Sequence, residues 1–195
     1  MRASAFFSLA SLLIGCAPSI AIVPTQPVYA RKPDAVKDFH VVGRLAVRYQ
    51  GGSFSGSIDW RHSLEKDELQ ILTPLGQSVA QIERRPFGAT LTTKDQEKRY
   101  AADVETLTEQ ALGWRLPLGG LRFWVLGLID PESPGDSERD DAGRVSRLKQ
   151  SLWQVDYLEY APASGFDLPR RITARNGAVE VKLVVDQWRI DAPTI

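Results

Sequence analysis

The chain has 195 residues, 43% of them hydrophobic and 25% charged, a composition that suits one globular domain with its own core. Lys+Arg and Asp+Glu both number 24, so the net charge is zero and nothing in the balance favours a polyanion such as nucleic acid. The single cysteine, Cys16, excludes an intrachain disulfide framework and any multi-cysteine metal site, so the body has to be held by packing.

Arg2 gives a short positive start, and Ala5 to Ile14 form an apolar run well below the ~20 residues that span a bilayer. Residues 1–15 therefore read as a signal peptide rather than an anchor helix. The run closes on Leu13-Ile14-Gly15-Cys16, which resembles the bacterial lipobox, so Cys16 is the expected lipidation site and the expected first residue of the mature chain. The alternative is an ordinary secretory signal with an incidental cysteine. Ala17 follows, whereas the enterobacterial lipoproteins that this segment resembles associate aspartate there with inner-membrane retention; alanine points to the outer membrane. Residues 16–38, with Pro18, Pro24, Pro27 and Pro33, read as an acylated N-terminus and extended tether, and 39–195 as the body.

From Phe39 the apolar period is two. Val41, Gly43, Leu45, Val47 and Tyr49 face one way and Arg44 and Arg48 the other, the pattern of a half-buried strand. Gly51-Gly52 turns the chain into a second strand with Phe54, Gly56, Ile58 and Trp60 on one face. A third strand carries Leu69 and Ile71, a fourth Ala80 and Ile82, a fifth Ala89 and Leu91; after Lys94-Asp95-Gln96 a short one includes Tyr100. Short connections predict an antiparallel meander.

At Asp103 the period changes. Val104, Leu107, Ala111 and Leu112 mark an amphipathic helix with Asp103 as N-cap and Gly113 as stop. Pro117 opens a second helix, with Leu118, Leu121, Val125 and Leu128 on one stripe, Trp124 beside it and an end near Gly127. Residues 130–144, rich in Asp, Glu, Ser, Pro and Gly, read as a solvated loop. Strands return at Trp153, Val155 and Tyr157, at Arg170 to Ala174, and at Val179, Val181, Leu183 and Val185 after an Asn176-Gly177 turn, with Trp188 closing the pattern. Strands, two helices, then strands predict a large antiparallel sheet covered on one face by the helices.

Catalytic and metal-binding motifs are not found. His40 and His62 have no partner at zinc-ligand spacing and read as surface or strand-end residues. Gly52-Ser53-Phe54-Ser55-Gly56 places phenylalanine where a nucleophile elbow needs serine, and Gly119-Gly120 lacks the Lys and Ser/Thr of a phosphate loop. No cofactor, metal or catalytic residue is expected.

Thr73-Pro74-Leu75-Gly76-Gln77 lies between two strands, where Pro74 and Gly76 suit a turn but a leucine at the tip does not. Leaving Leu75 in water forgoes roughly 1.5 to 3 kcal/mol of burial, so either it folds back on the sheet or it is a probe that enters a membrane.

Here the chain resembles the outer-membrane lipoprotein receptor LolB family, from about Val42 to Trp188. The resemblance is carried by Gly43-Arg44-Leu45-Ala46-Val47, Gly56 to Trp60 and Pro74-Leu75-Gly76, then by Leu112-Gly113-Trp114, Leu116-Pro117-Leu118, Leu121, Trp124 and Gly127, and by Trp153, Val155, Tyr157, Tyr160, Leu168-Pro169 and Trp188. It implies an open antiparallel half-barrel of about ten or eleven strands with helices covering the concave face. It also implies a receptor that accepts lipoproteins from a LolA-like periplasmic carrier, shields their acyl chains in an apolar cavity and inserts them into outer-membrane phospholipid. Leu75, flanked by Pro74 and Gly76, matches the family's protruding leucine, implicated in insertion. The strand faces bearing Leu45, Phe54, Ile58 and Trp60, roofed by Leu121 and Trp124, are the cavity candidates, although the same residues suit a filled core. The receptor is expected to be a lipid-anchored monomer facing the periplasm. The alternatives are a structural envelope lipoprotein with a filled core and, with less support, an acyl-chain hydrolase.

Overall fold

The computed structural model describes residues 32–190, built around one eleven-stranded antiparallel sheet. In chain order the strands are β1 (Phe39–Tyr49), β2 (Gly52–His62), β3 (Asp67–Leu72), β4 (Ser78–Arg85), β5 (Gly88–Thr93) and β6 (Lys98–Ala101). Helices α1 (Val104–Leu112) and α2 (Leu118–Trp124) follow, then β7 (Gly135–Arg139), β8 (Val145–Gln150), β9 (Trp153–Ala163), β10 (Phe166–Asn176) and β11 (Val179–Arg189). The order across the sheet is β6-β5-β4-β3-β2-β1-β11-β10-β9-β8-β7. Two meanders are thus joined by the β1–β11 pairing, and β6 and β7 are the free edges of an open sheet. This is the open half-barrel that the family resemblance implied, and the large antiparallel sheet that the residue pattern predicted.

That topology dictates where the helices go. The chain leaves the sheet at one edge, β6, and re-enters at the other, β7, so residues 102–134 have to cross a face. They cross the apolar one. Along β1 the side chains of Phe39, Val41, Leu45 and Val47 alternate inward and are buried, and α1 and α2 bury Val104, Leu107, Leu118, Leu121 and Trp124 against that side. Asp103 caps α1 as its spacing predicts, accepting from the Thr106 N–H at 2.7 Å, and Gly113 ends it in the left-handed conformation at φ 80°.

Two glycines permit close backbone approach. At Gly43, where β1 bulges against β11, an added Cβ would lie 2.5 Å from the Val184 carbonyl oxygen. At Gly56 it would lie 2.0 Å from the Leu72 carbonyl oxygen, where β3 departs from register with β4. Such bulges, with the strand twist, bend the sheet around its apolar face.

Some expectations need correction. Residues 130–144 are not a loop throughout, because β7 runs from Gly135 to Arg139 and pairs with β8. As an edge strand with largely exposed side chains, β7 shows no apolar alternation, and Asp136, Glu138 and Arg139 suit an edge that has to stay unpaired. Helix α2 ends at Trp124, earlier than the stripe suggested, and Val125 and Leu126 are buried in the turn beyond it. The β10–β11 turn is Gly177-Ala178, with Asn176 already paired to Val179. Ahead of β1, Pro33–Ala35 forms a 3-10 turn and Val36 packs into the core.

Candidate functional site

The seam between helices and sheet is lined by apolar residues alone. Leu45, Ile58, Trp60, Leu69, Val181 and Leu183 from the strands meet Leu116, Leu118 and Leu121 around a void of about 20 Å³. That is room for about one water, and an apolar void of this size is dry. Four of the expected cavity residues, Leu45, Ile58, Trp60 and Leu121, meet there. The other two lie elsewhere: Phe54 is half-buried near the start of β2, while Trp124 is buried against Trp153, its ring centroid 6.1 Å away. Trp124 also donates to the Gln150 side chain at 2.9 Å. Leu116 and Leu118 gave the clearest overlooked signal, a leucine either side of Pro117 where the roof descends onto the sheet.

The helices are fastened to one another. Thr108 donates to the Val104 carbonyl and accepts from the Leu116 N–H at 2.9 Å, and Glu105 accepts from the Gly119 N–H at 3.4 Å. The hydrogen bonds from α1 and α2 to the sheet sit at its margins: Arg99 of β6 donates to the Gln110 carbonyl, and Trp124 to Gln150 of β8. Between these margins the described contact is hydrophobic and non-directional, so an inserted hydrocarbon chain would replace it with contacts of the same kind.

Under the sheet's far end lies a polar cluster that the sequence did not reveal. Asp67 is 1% exposed, accepts from Trp60 Nε1 at 2.9 Å, meets His62 Nδ1 at 2.6 Å and is paired with Arg84. His62 is thus a strand-end residue but not a surface one, stacked near Phe39 at 4.8 Å. His40 bonds Asp59 at 2.9 Å. The available signal was parity: Asp67 shares the inward face of β3 with Leu69 and Ile71. Burial alone raises the Asp67 pKa, but the bonds from His62, Arg84 and Trp60 outweigh it and hold the carboxyl below its ordinary value. A depressed folded-state pKa contributes stability above the unfolded value, near 3.9, that is lost as pH falls through the folded one. Asp67→Asn is expected to lower stability by about 3 kcal/mol at neutral pH, by stranding Arg84, and to flatten the loss of stability below about pH 4. Urea denaturation at pH 7 and pH 3 checks both.

At the opposite end, Thr73–Gln77 forms a tight three-residue hairpin loop. Gly76 N–H donates to the Thr73 carbonyl at 2.9 Å, Thr73 N–H to the Gln77 carbonyl at 2.8 Å, and Gly76 takes φ 80°. Pro74 presets the second turn position and the glycine supplies the left-handed residue that returns the chain to β4. Leu75 at the tip is 89% exposed and does not fold back on the sheet. Cys16 lies outside the described residues.

Among the described residues no His, Cys, Asp and Glu group could hold a metal ion, and no helix is long and apolar enough to cross a membrane. A hollow of about 710 Å³ is separate from the apolar void. It opens to solvent between Leu126–Ile129 and the β7–β8 hairpin, where Arg144 is paired with Asp140 and Asp167.

Comparison with known proteins agrees with this architecture. A LolA superfamily protein from Nitrosomonas europaea, solved by crystallography, shares the fold at a TM-score of 0.53 and 9% identity over 87% of this chain and 94% of that one. The outer-membrane lipoprotein LolB of Nitrosomonas europaea is 39% identical over 91% of this chain and 88% of its own length. That of Thiobacillus denitrificans is 37% identical over 96% and 97%. The family described as outer membrane lipoprotein LolB matches residues 37–188. The chain therefore belongs to the outer membrane lipoprotein LolB family.

Proposed function

We propose that this protein receives lipoproteins from a LolA-like periplasmic carrier, shields their acyl chains between the sheet and the helices, and inserts them into the phospholipid of the outer membrane. The all-apolar seam carries this reading. At ~0.8 kcal/mol per CH₂, acyl chains released into water would cost tens of kcal/mol, so transfer has to pass between shielded sites. The seam as it stands holds no chain, and the reading requires α1 and α2 to lift as the pair that their mutual hydrogen bonds make them.

Direction needs no covalent step. Tenfold tighter binding than the carrier's corresponds to ~1.4 kcal/mol, and the bilayer is the deeper sink beyond it. The receptor acts as a monomer held to the membrane through acylated Cys16, facing the periplasm. The tether is long enough for this. The body's N-terminal end lies away from the Leu75 loop, at the start of β1, and the seventeen residue steps from Cys16 to Pro33 reach roughly 55–60 Å when extended, against about 37 Å for an eleven-residue strand.

The closed void favours a second reading, a structural lipoprotein with a filled core. A carrier loaded with labelled lipoprotein separates the two. The receptor takes up label from the carrier when mixed with it, whereas the structural protein leaves it all on the carrier.

A further inference from the structure

The strand register sorts the hairpin turns between two ends of the sheet. Residues 50–51, 73–77, 94–97, 151–152 and 177–178 share one end. Leu75 lies in the second of these turns and Leu152 in the fourth, and Leu152 is 91% exposed. They are six strand spacings apart, on the order of 30 Å measured around the sheet.

Leu152 carries two conformational and solvation penalties at once. Ser151 and Leu152 form a two-residue turn with φ 50° and 66°, so the leucine sits in the left-handed region that disfavours every side chain but suits glycine. The β9–β10 turn shows the ordinary solution. Ser164-Gly165 has φ 51° and 82°, the same pair of conformations with glycine in the second place. At 151–152 the same turn instead presents an exposed leucine on a firm base. Gln150 before it bonds the Asp130 and Ser133 carbonyls at 2.8 and 2.7 Å, and Trp153 after it packs on Trp124.

Charged residues are sparser in the hairpin turns of the Leu75 end. Four of the five turns at the Leu75 end have no charged residue, the exception being 94–97 with Lys94, Asp95 and Glu97. The turns at the other end carry Glu65, Lys66, Asp140, Asp141 and Arg144, beside the exposed Leu64 and Phe87.

We infer that Leu152 is a second membrane-inserting tip, and that it and Leu75 together set their end of the sheet against the phospholipid surface. This rests on the membrane reading of Leu75. One tip alone leaves the body free to tilt, whereas two, spread around the rim, fix its orientation and bind the surface jointly.

Cys16 is the only cysteine, so the Cys16→Ala chain accepts one polarity-sensitive thiol dye at Leu75→Cys, Leu152→Cys or Phe87→Cys. Each is mixed with phosphatidylethanolamine–phosphatidylglycerol vesicles carrying a lipid-borne quencher. Quenching at 75 and 152 but not at 87 is the expected result. Quenching at 75 with position 152 in water overturns the second tip and leaves the Leu75 reading standing; water at both overturns both. Quenching at all three overturns the orientation. As a check independent of the dye, Leu152→Gly relieves the left-handed leucine, so its melting temperature is expected to hold or rise while vesicle binding weakens roughly tenfold. Unchanged binding by a folded Leu152→Gly would also overturn the proposal.

Discussion

Leu75→Glu is expected to leave lipoprotein uptake intact and to slow delivery into vesicles by roughly 30-fold or more, since about 2 kcal/mol of leucine burial in lipid is lost and a charge is set in its place. The two steps separate because the residue touches neither the apolar void nor the helices. It stands 89% exposed on a loop closed by its own backbone hydrogen bonds. For the same reason the fold should barely register the change, within about 0.5 kcal/mol. Single-turnover transfer from a loaded carrier, with receptor-bound and vesicle-bound label followed separately, measures both steps. Equal slowing of uptake and delivery would place Leu75 at the carrier contact instead of the membrane.

The second large effect is expected at Gly56. An alanine there sets its Cβ 2.0 Å from the Leu72 carbonyl oxygen and 2.7 Å from Phe54 Cζ. The phenylalanine ring can rotate away. The carbonyl cannot, because Leu72 is the last residue of β3, at a register shift, and leads directly into the Leu75 loop. Gly56→Ala is expected to cost about 3 kcal/mol or more. For a body of this size that is a fall of roughly 6–12 °C in melting temperature. The strain falls on the base of the loop, so delivery should weaken even at temperatures where circular dichroism shows the variant folded. Gly119→Ala provides the contrast. In α2 its Cβ would meet only the Glu105 carboxylate, at 3.8 Å, so the variant should gain roughly 0.5–1 kcal/mol of stability.

The sequence was most legible where one face of an element is buried and the other wet. Alternation along 39–49 and the three- and four-residue spacing after Asp103 follow from that asymmetry, and both elements stand where their patterns place them. The β7–β8 hairpin was illegible for the opposite reason. Its edge strand buries little, Val145 and Leu148 in β8 are three apart where the register with β7 shifts, and Gln150, a polar residue, holds the next inward place. The family resemblance, rather than periodicity, raised the expected strand number to that of the sheet.

The site shows the same division. Leu75 drew notice because a leucine between Pro74 and Gly76 contradicts turn chemistry. Leu152 drew none, because Gln150-Ser151-Leu152-Trp153 contains no glycine, proline or asparagine to mark a turn, and only the register of β8 with β9 places it at a tip. Whether a leucine lines a void or fills a core depends on how closely the helices settle on the sheet, which residue type does not encode. Trp124 fits the apolar stripe of its helix, yet its partner Gln150 lies 26 residues on, beyond the reach of local pattern.

If the apolar seam opens to receive acyl chains, a photoreactive side chain in place of Leu121 will report their entry. Leu121 faces the void from α2, opposite Leu45 and Ile58. With a carrier bearing acylated lipoprotein, illumination should link Leu121 to the cargo's acyl chains, and the link should disappear once vesicles have taken up the cargo. Uptake of label with no crosslink from Leu121 or from Ile58 would contradict such opening and place the bound acyl chains outside the helix–sheet seam.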